Sequence, residues 1–149
     1  MLLVSGSRVE SARRDISGEY VALVEDDPAI AEMYGFGLRR AGYSVAAFPD
    51  GIALLASLDM YLPDMLVLDW MLPGMTADEL LSRLREDVRT KDLRVFVLSN
   101  LSTANGGEID VAFSSGVLAW LEKSKTTPDT LAGRVREVLT LTESGAARS

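Results

Sequence analysis

The 149-residue chain contains no cysteine and no histidine. The missing cysteines exclude disulfides and thiol nucleophiles, and the missing histidines exclude imidazole bases and His-ligated zinc. No apolar run approaches the roughly 18 residues that a membrane span requires, and the opening "MLLVSG" lacks the basic lead of a signal peptide. The net charge of -7 disfavours binding to nucleic acid phosphates. We therefore predict a cytoplasmic protein that binds neither nucleic acid nor membrane and works with carboxylates, lysine and hydroxyls.

The composition is that of one folded domain. Apolar residues make up 48% of the chain and charged residues 25%, enough for a buried core. Residues 1–18 are polar and show no periodicity, which predicts a flexible leader, and the small polar residues 143–149 predict a flexible tail. The domain itself is predicted to span residues 19–142.

Within the domain, short β-rich apolar runs alternate with helical patterns. The runs are "YVALV" (20–24), "YSVAAF" (43–48), "DMLVLD" (64–69), "LRVFVLS" (93–99) and "VLAWLE" (117–122). Such continuous apolar runs are typical of parallel strands that are covered on both faces. We predict an α/β domain with a doubly wound, five-stranded parallel sheet and five helices.

Several residues mark the helices. Asp27 before Pro28 is interpreted as an N-cap, and Thr76 with Glu79 forms a capping-box pattern. The first helix has a predicted buried stripe at three-to-four spacing, ended by Gly42. The stripe consists of Ile30, Met33, Tyr34, Gly37, Leu38 and Ala41.

Polar side chains follow the ends of four of the strands. Strand one is followed by Glu25 and Asp26, strand three ends at Asp69, strand four at Ser99, and Lys123 follows strand five. In an open parallel sheet, ligands bind outside the carboxyl ends of the strands. Two carboxylates about 4 Å apart repel by roughly 4 kcal/mol at an effective dielectric near 20, so the predicted cluster needs a cation. Oxygen ligands without sulfur or imidazole favour Mg²⁺.

The ordered set "LVEDDP", "LVLDWMLPGM" and "GVLAWLEKS" resembles the receiver domain of two-component response regulators of the chemotaxis-regulator type. The resemblance covers about residues 19–142 and implies a flavodoxin-like sheet with strand order 2-1-3-4-5. It implies a signalling domain rather than an enzyme. The function implied is that of a single-domain response regulator with no output domain on this chain.

Residue roles follow from the resemblance. It implies that Asp69 accepts a phosphoryl group, with Ser99 and Lys123 holding the phosphoryl oxygens. It implies a Mg²⁺ site formed by Asp26, Asp69 and the backbone carbonyl of Met71, with Glu25 acting through water.

The resemblance also implies a switch and a set of partners. Ser99 and Trp120 would form the switch, which reshapes the face of helix four, strand five and helix five. The partners implied are a histidine kinase or phosphotransfer protein as donor and a downstream target protein, and the switching face could also form a homodimer.

Two departures from the family pattern, and the side chains that flank the site, are expected to matter. Ser124 follows Lys123 where the family commonly has proline, so no cis bond is expected there. Asn100 is larger than the usual small residue and would narrow the approach to Asp69. Met71 and Leu101 cannot orient an attacking water, which predicts slow autodephosphorylation.

Three other functions would use a similar fold or a similar set of residues. A degenerate receiver that acts only as a docking module is one alternative. An aspartate-nucleophile phosphohydrolase would need a second aspartate where Met71 stands, and a flavin carrier would need a hydroxyl-rich loop in place of "EDDP".

Overall fold

The computed structural model describes residues 19–100 and 106–148, with side chains through residue 140. The predicted leader and Leu101 lie outside these residues. The strands are β1 (Tyr20–Val24), β2 (Ser44–Phe48), β3 (Met65–Asp69), β4 (Arg94–Ser99) and β5 (Ala119–Glu122). The helices are α1 (Pro28–Arg40), α2 (Gly51–Ser57), α3 (Ala77–Glu86), α4 (Gly106–Ser114) and α5 (Pro128–Arg148), with a 3₁₀ turn at Lys123–Lys125.

The five strands form one parallel sheet in the order β2-β1-β3-β4-β5. This confirms the predicted fold class and strand order. The register sets Val24 beside Leu68, and Asp69 beside Leu98. The ends of β1, β3 and β4 therefore lie level with one another at one edge of the sheet.

Helices cover both faces of the sheet, which is why the central strands are apolar throughout. On one face, Tyr34 and Leu38 of α1 and Leu131 of α5 pack with the sheet. On the other face, Leu54 of α2 and Leu80 of α3 do the same. Each such leucine is fully buried and contributes about 2 kcal/mol through removal from water.

The helix boundaries follow the capping patterns. The Asp27 carboxylate accepts hydrogen bonds from the peptide N–H groups of Ala29 at 2.9 Å and Ile30 at 3.3 Å. Thr76 accepts one from the Glu79 N–H at 3.1 Å. Gly42 follows α1 with a φ of 102°, a conformation that glycine adopts without strain. These features confirm the predicted starts of α1 and α3 and the end of α1.

The exposure of one residue differs from the sequence interpretation, and one helix extends beyond the predicted end of the domain. Met33 is 44% exposed, so its place in the buried stripe of α1 was wrong, because the helix turns that position towards solvent. Helix α5 has helical backbone to Arg148, past the predicted domain end at residue 142. The flexibility of residues 143–149 stays a prediction.

Among the described residues, no helix combines the length and apolar character that crossing a membrane requires.

Candidate functional site

Asp69 is the last residue of β3, and its side chain is held in place from two sides. The residue is 4% exposed. Its Oδ1 accepts a hydrogen bond from the Met71 N–H at 3.0 Å, and its Oδ2 lies 3.1 Å from Lys123 Nζ. The Trp70 N–H donates to the Leu98 carbonyl at 3.0 Å, which continues the sheet pairing just past Asp69. The carboxylate is thus fixed at a strand tip.

Lys123 joins a second carboxylate to the same site. Its Nζ lies 2.8 Å from Glu25 Oε1, as well as 3.1 Å from Asp69 Oδ2. Glu25 directly follows β1 and is 3% exposed, and its Oε2 accepts from the Asp27 N–H at 3.1 Å. One ammonium therefore bridges the tips of β1 and β3 from the loop after β5.

The charges at this edge of the sheet are not balanced. Burial raises the pKa of Glu25, outweighing the hydrogen bonds from Lys123 and from the Asp27 N–H. Burial alone would lower the pKa of Lys123, but its hydrogen bond to Glu25 and the charge of Asp69 outweigh burial and raise it. A lysine shared by two buried carboxylates is held strongly as a cation. Its single positive charge balances only one of the two carboxylates, so one negative charge remains. Asp26 adds another.

The carboxylates fit a divalent metal. One oxygen from each of Glu25, Asp26 and Asp69 lies within 4.8 Å of the others. Asp26 is exposed, so the cluster is open to solvent on one side. An all-oxygen, mostly anionic donor set is what Mg²⁺ prefers. Met71 is two residues beyond Asp69 with a 53% exposed side chain, and the role of its carbonyl stays a prediction.

Ser99 is the last residue of β4 and is fully buried at the same level of the sheet. Its hydroxyl donates to the Asn100 carbonyl at 3.2 Å. Asn100 itself is exposed. Ser99 is paired in register with Glu122, the residue before Lys123. The structure therefore places Ser99 and Lys123 at neighbouring strand ends, although their roles stay predictions.

Trp120 lies on β5 and contacts a residue that the sequence analysis did not single out. Its ring centroid is 5.0 Å from that of Trp70, with the ring planes at 52°. Its Nε1 is buried and has no hydrogen-bond partner within the described part of the chain. Because Trp70 directly follows Asp69, the predicted switch residue touches the neighbour of the predicted acceptor.

Tyr34 is a second residue that sequence reasoning missed as a site component. Its hydroxyl donates to the Thr126 carbonyl at 2.7 Å, with the Lys123 carbonyl at 3.4 Å as a longer second acceptor. The sequence signal was present, since a tyrosine in a buried stripe needs an acceptor for its hydroxyl.

No cis peptide bond occurs in the described ranges, as Ser124 led us to expect.

With this geometry, the comparisons with known proteins place the chain in a family. Residues 21–136 match the model of the response regulator receiver domain, and the chain belongs to that family. The domains of this family are phosphoacceptor signalling domains of two-component systems and not classical enzymes. Receiver domains of this family bind Mg²⁺ through an acidic pocket and interact with histidine kinases.

Two curated relatives and one solved structure illustrate the similarity. The chain is 36% identical over 126 residues to the DNA-binding dual master transcriptional regulator RpaA of Synechocystis, covering 83% of this chain and 50% of that protein. It is 34% identical over 121 residues to the phosphate regulon transcriptional regulatory protein PhoB of Rhizobium meliloti, covering 80% and 51%. The chain thus spans about half the length of these relatives.

The structure of the chemotaxis response regulator CheY4 of Vibrio cholerae superposes with a TM-score of 0.73 at 25% identity. The superposition covers 82% of this chain and 99% of that one.

Proposed function

We propose that Asp69 accepts a phosphoryl group from the phosphohistidine of a partner kinase or phosphotransfer protein, in a Mg²⁺-dependent reaction. One observation carries this proposal: Lys123 Nζ lies within 3.1 Å of both Asp69 and Glu25, with Asp26 completing a carboxylate cluster. A nucleophile, a fixed cation and oxygen ligands for a metal thus meet at the carboxyl ends of the strands.

The transfer exchanges one phosphorus bond for another. An Asp69 oxygen attacks the phosphorus, an O–P bond forms, and the P–N bond to the histidine breaks. Its electron pair stays on the imidazole nitrogen, which takes a proton from water. The attack is opposed by repulsion between the carboxylate and the anionic phosphoryl group, and Lys123 offsets this charge in the transition state.

Asp26 and Asp69 would hold Mg²⁺ directly, with the Met71 carbonyl as a further ligand and Glu25 acting through water. When bound, the metal supplies a second positive charge that stabilises the transferring phosphoryl oxygens. Glu25 already accepts from Lys123 and from the Asp27 N–H, which fits an indirect role.

The acyl phosphate adds up to two negative charges to this edge. Ser99 and Lys123 would bind the new oxygens, and the movement of Ser99 would let Trp120 turn inward. This would change the face formed by α4, β5 and α5, where Val111 and Leu118 are exposed. That face would bind a downstream target or a second copy of the chain.

Slow autodephosphorylation follows from the side chains around Asp69. Met71 offers no hydrogen bond that could orient an attacking water. We therefore expect the phosphoryl group to persist for minutes or longer.

A domain that receives its phosphoryl group from a histidine kinase would meet that kinase in the cytoplasm.

The proposal is tested by intact mass after exposure to acetyl phosphate and Mg²⁺. The wild type is expected to gain one phosphoryl group as acetate leaves, while Asp69→Asn gains none. Uptake by both proteins would show that the acceptor is another residue. No uptake by the wild type would favour the alternative, a receiver that acts only as a docking module.

A further inference from the structure

The loop that carries Lys123 has no proline to fix its course, and side-chain hydrogen bonds hold it instead. Thr126 is buried, and its hydroxyl donates to the Glu122 carbonyl at 2.7 Å. The Thr126 N–H donates to the Lys123 carbonyl at 3.3 Å. The first bond ties the turn back to the last residue of β5 and the second closes the turn on itself, but neither of them reaches a helix.

Tyr34 ties this turn to helix α1. Its hydroxyl donates to the Thr126 carbonyl at 2.7 Å and lies 3.4 Å from the Lys123 carbonyl. Both carbonyls belong to the turn whose backbone determines the position of the Lys123 Cα, from which the side chain extends. A buried hydroxyl that bonds across 92 residues of chain therefore fixes the turn against the first helix.

The position of Tyr34 is itself well determined. The residue is 1% exposed and belongs to the core cluster between the sheet, α1 and α5. One turn further along α1, a Cβ added at Gly37 would lie 2.5 Å from Pro128 Cβ, so the glycine lets α1 and the start of α5 approach closely. The hydroxyl is thus presented to the turn by a rigid helix pair.

Charges of the site reach the phenol. Burial raises the pKa of Tyr34, with an opposing effect from Lys123 and a reinforcing one from Glu25. The charges of Lys123 and Glu25 therefore act on Tyr34, while its hydroxyl bonds to the backbone of the turn.

We propose that Tyr34 is a positioning residue for Lys123: its hydroxyl holds the backbone of the Lys123–Thr126 turn so that the ammonium lies against Asp69. The inference depends on the proposed phosphoryl-acceptor function. Tyr34 acts through Lys123, because its hydroxyl bonds to backbone carbonyls of the turn.

The test compares Tyr34→Phe with wild type in phosphoryl uptake from acetyl phosphate. Phenylalanine keeps the ring in the core and removes only the hydroxyl. The uptake rate is expected to fall about tenfold, the equivalent of roughly one buried hydrogen bond. The Mg²⁺ dissociation constant is expected to stay within about twofold, since the metal ligands lie on other strands.

Thr90→Val is the matched control. The Thr90 hydroxyl is also buried and donates to a carbonyl, that of Leu84, at 2.7 Å, but it lies at the opposite end of the sheet. This variant is expected to lose a similar amount of stability and to keep the wild-type uptake rate. Equal losses of rate in both variants would overturn the inference, because they would reflect stability alone.

A double-mutant cycle with Lys123→Met separates positioning from a general effect. If Tyr34 acts through Lys123, Tyr34→Phe has no further effect on uptake once the ammonium is gone. An additional tenfold loss in the Lys123→Met background would overturn the inference. If Tyr34→Phe does not fold, the same cycle is run with Gly37→Ala, which displaces Pro128 and with it the turn.

The two proposals fail differently. If wild type takes up phosphoryl on Asp69 and Tyr34→Phe does so at the same rate, the positioning role is wrong while the acceptor function stands. If wild type takes up none, the acceptor function itself fails.

Discussion

The two ends of the sheet each hold a cation, and the two cations are bound in opposite ways. At the carboxyl end, Lys123 faces the buried carboxylates of Glu25 and Asp69. At the amino end, Arg85 of α3 makes no ion pair among the described residues, although the charge of Asp92 acts on it, and it donates to backbone carbonyls instead. The acceptors are Leu93 at 2.8 Å, Ser115 at 2.7 Å, Thr90 at 3.1 Å and Lys91 at 3.2 Å.

This difference separates a responsive site from a structural one. Arg85 joins the end of α3, the start of β4 and the turn before β5, and its neutral acceptors give it no charge to exchange. Lys123 contacts two carboxylates, whose combined negative charge is greater than its own positive charge. Adding a metal or a phosphoryl group would redistribute the contacts of Lys123 and leave those of Arg85 unchanged.

The largest effect is expected from exchanging each cation for methionine. Lys123→Met should slow phosphoryl uptake by about 100-fold or more, because a fixed donor to the transition state is lost. Uptake is measured by intact mass over time. Arg85→Met should leave the rate of the folded protein unchanged, and a comparable loss there would remove the distinction between the two ends.

Arg85→Met is instead expected to lower the free energy of unfolding by about 2–4 kcal/mol, because several carbonyls lose their donor. Urea denaturation measures this. Arg83→Met is the control, since Arg83 makes an exposed pair with Glu79 at 3.2 Å and its loss should change stability by less than about 0.5 kcal/mol.

Saturating Mg²⁺ should stabilise the carboxyl end alone. At a concentration 100 times its dissociation constant, the metal is expected to raise the free energy of unfolding by about 2.7 kcal/mol. Denaturation with Mg²⁺ or with chelator measures the gain. The Arg85→Met protein should keep this gain and Asp26→Asn should lose most of it, whereas an equal gain in Asp26→Asn would place the metal elsewhere.

Gly116→Ala tests the amino end from its backbone. Gly116 has a φ of 84°, and an added Cβ would lie 3.2 Å from the Arg85 guanidinium. The substitution is expected to cost about 1–2 kcal/mol in the free energy of unfolding, measured in urea, without altering uptake. Gly106→Ala is the control, because no other atom of the described residues lies within 4 Å of its added Cβ.

The smallest effect is expected at Thr76, beside neither cation. Thr76→Ala removes the cap of α3 and should cost about 1 kcal/mol in thermal or urea unfolding. Ser82→Ala, at an exposed position of the same helix, should change stability by less than about 0.5 kcal/mol. A slower phosphoryl uptake in Thr76→Ala would mean that α3 takes part in the site after all.

Much of the fold was predictable because its signals are local. The apolar runs of β1, β3 and β4 require cover on both faces, and the caps at Asp27 and Thr76 lie within three residues of the groups they bind. The gathering of Glu25, Asp26, Asp69 and Lys123 was predictable for a related reason, since parallel strands end at a common edge.

What the sequence did not reveal depends on contacts between distant segments. Tyr34 bonds to a carbonyl 92 residues away, and Arg85 to one 30 residues away. No periodicity specifies which carbonyls a buried side chain meets. The exposure of Met33 was missed for a different reason: three-to-four spacing predicts an apolar stripe, but the helix turns Met33 towards solvent.

The contact between Trp70 and Trp120 gives the protein a built-in optical probe. The chain has two tryptophans, and both belong to this pair. All of the indole emission therefore arises from this one pair, formed by the neighbour of the predicted phosphoryl acceptor and the predicted switch residue on β5. Unlabelled protein can thus report, through emission intensity and near-ultraviolet dichroism, whether the two rings stay together when the site is loaded.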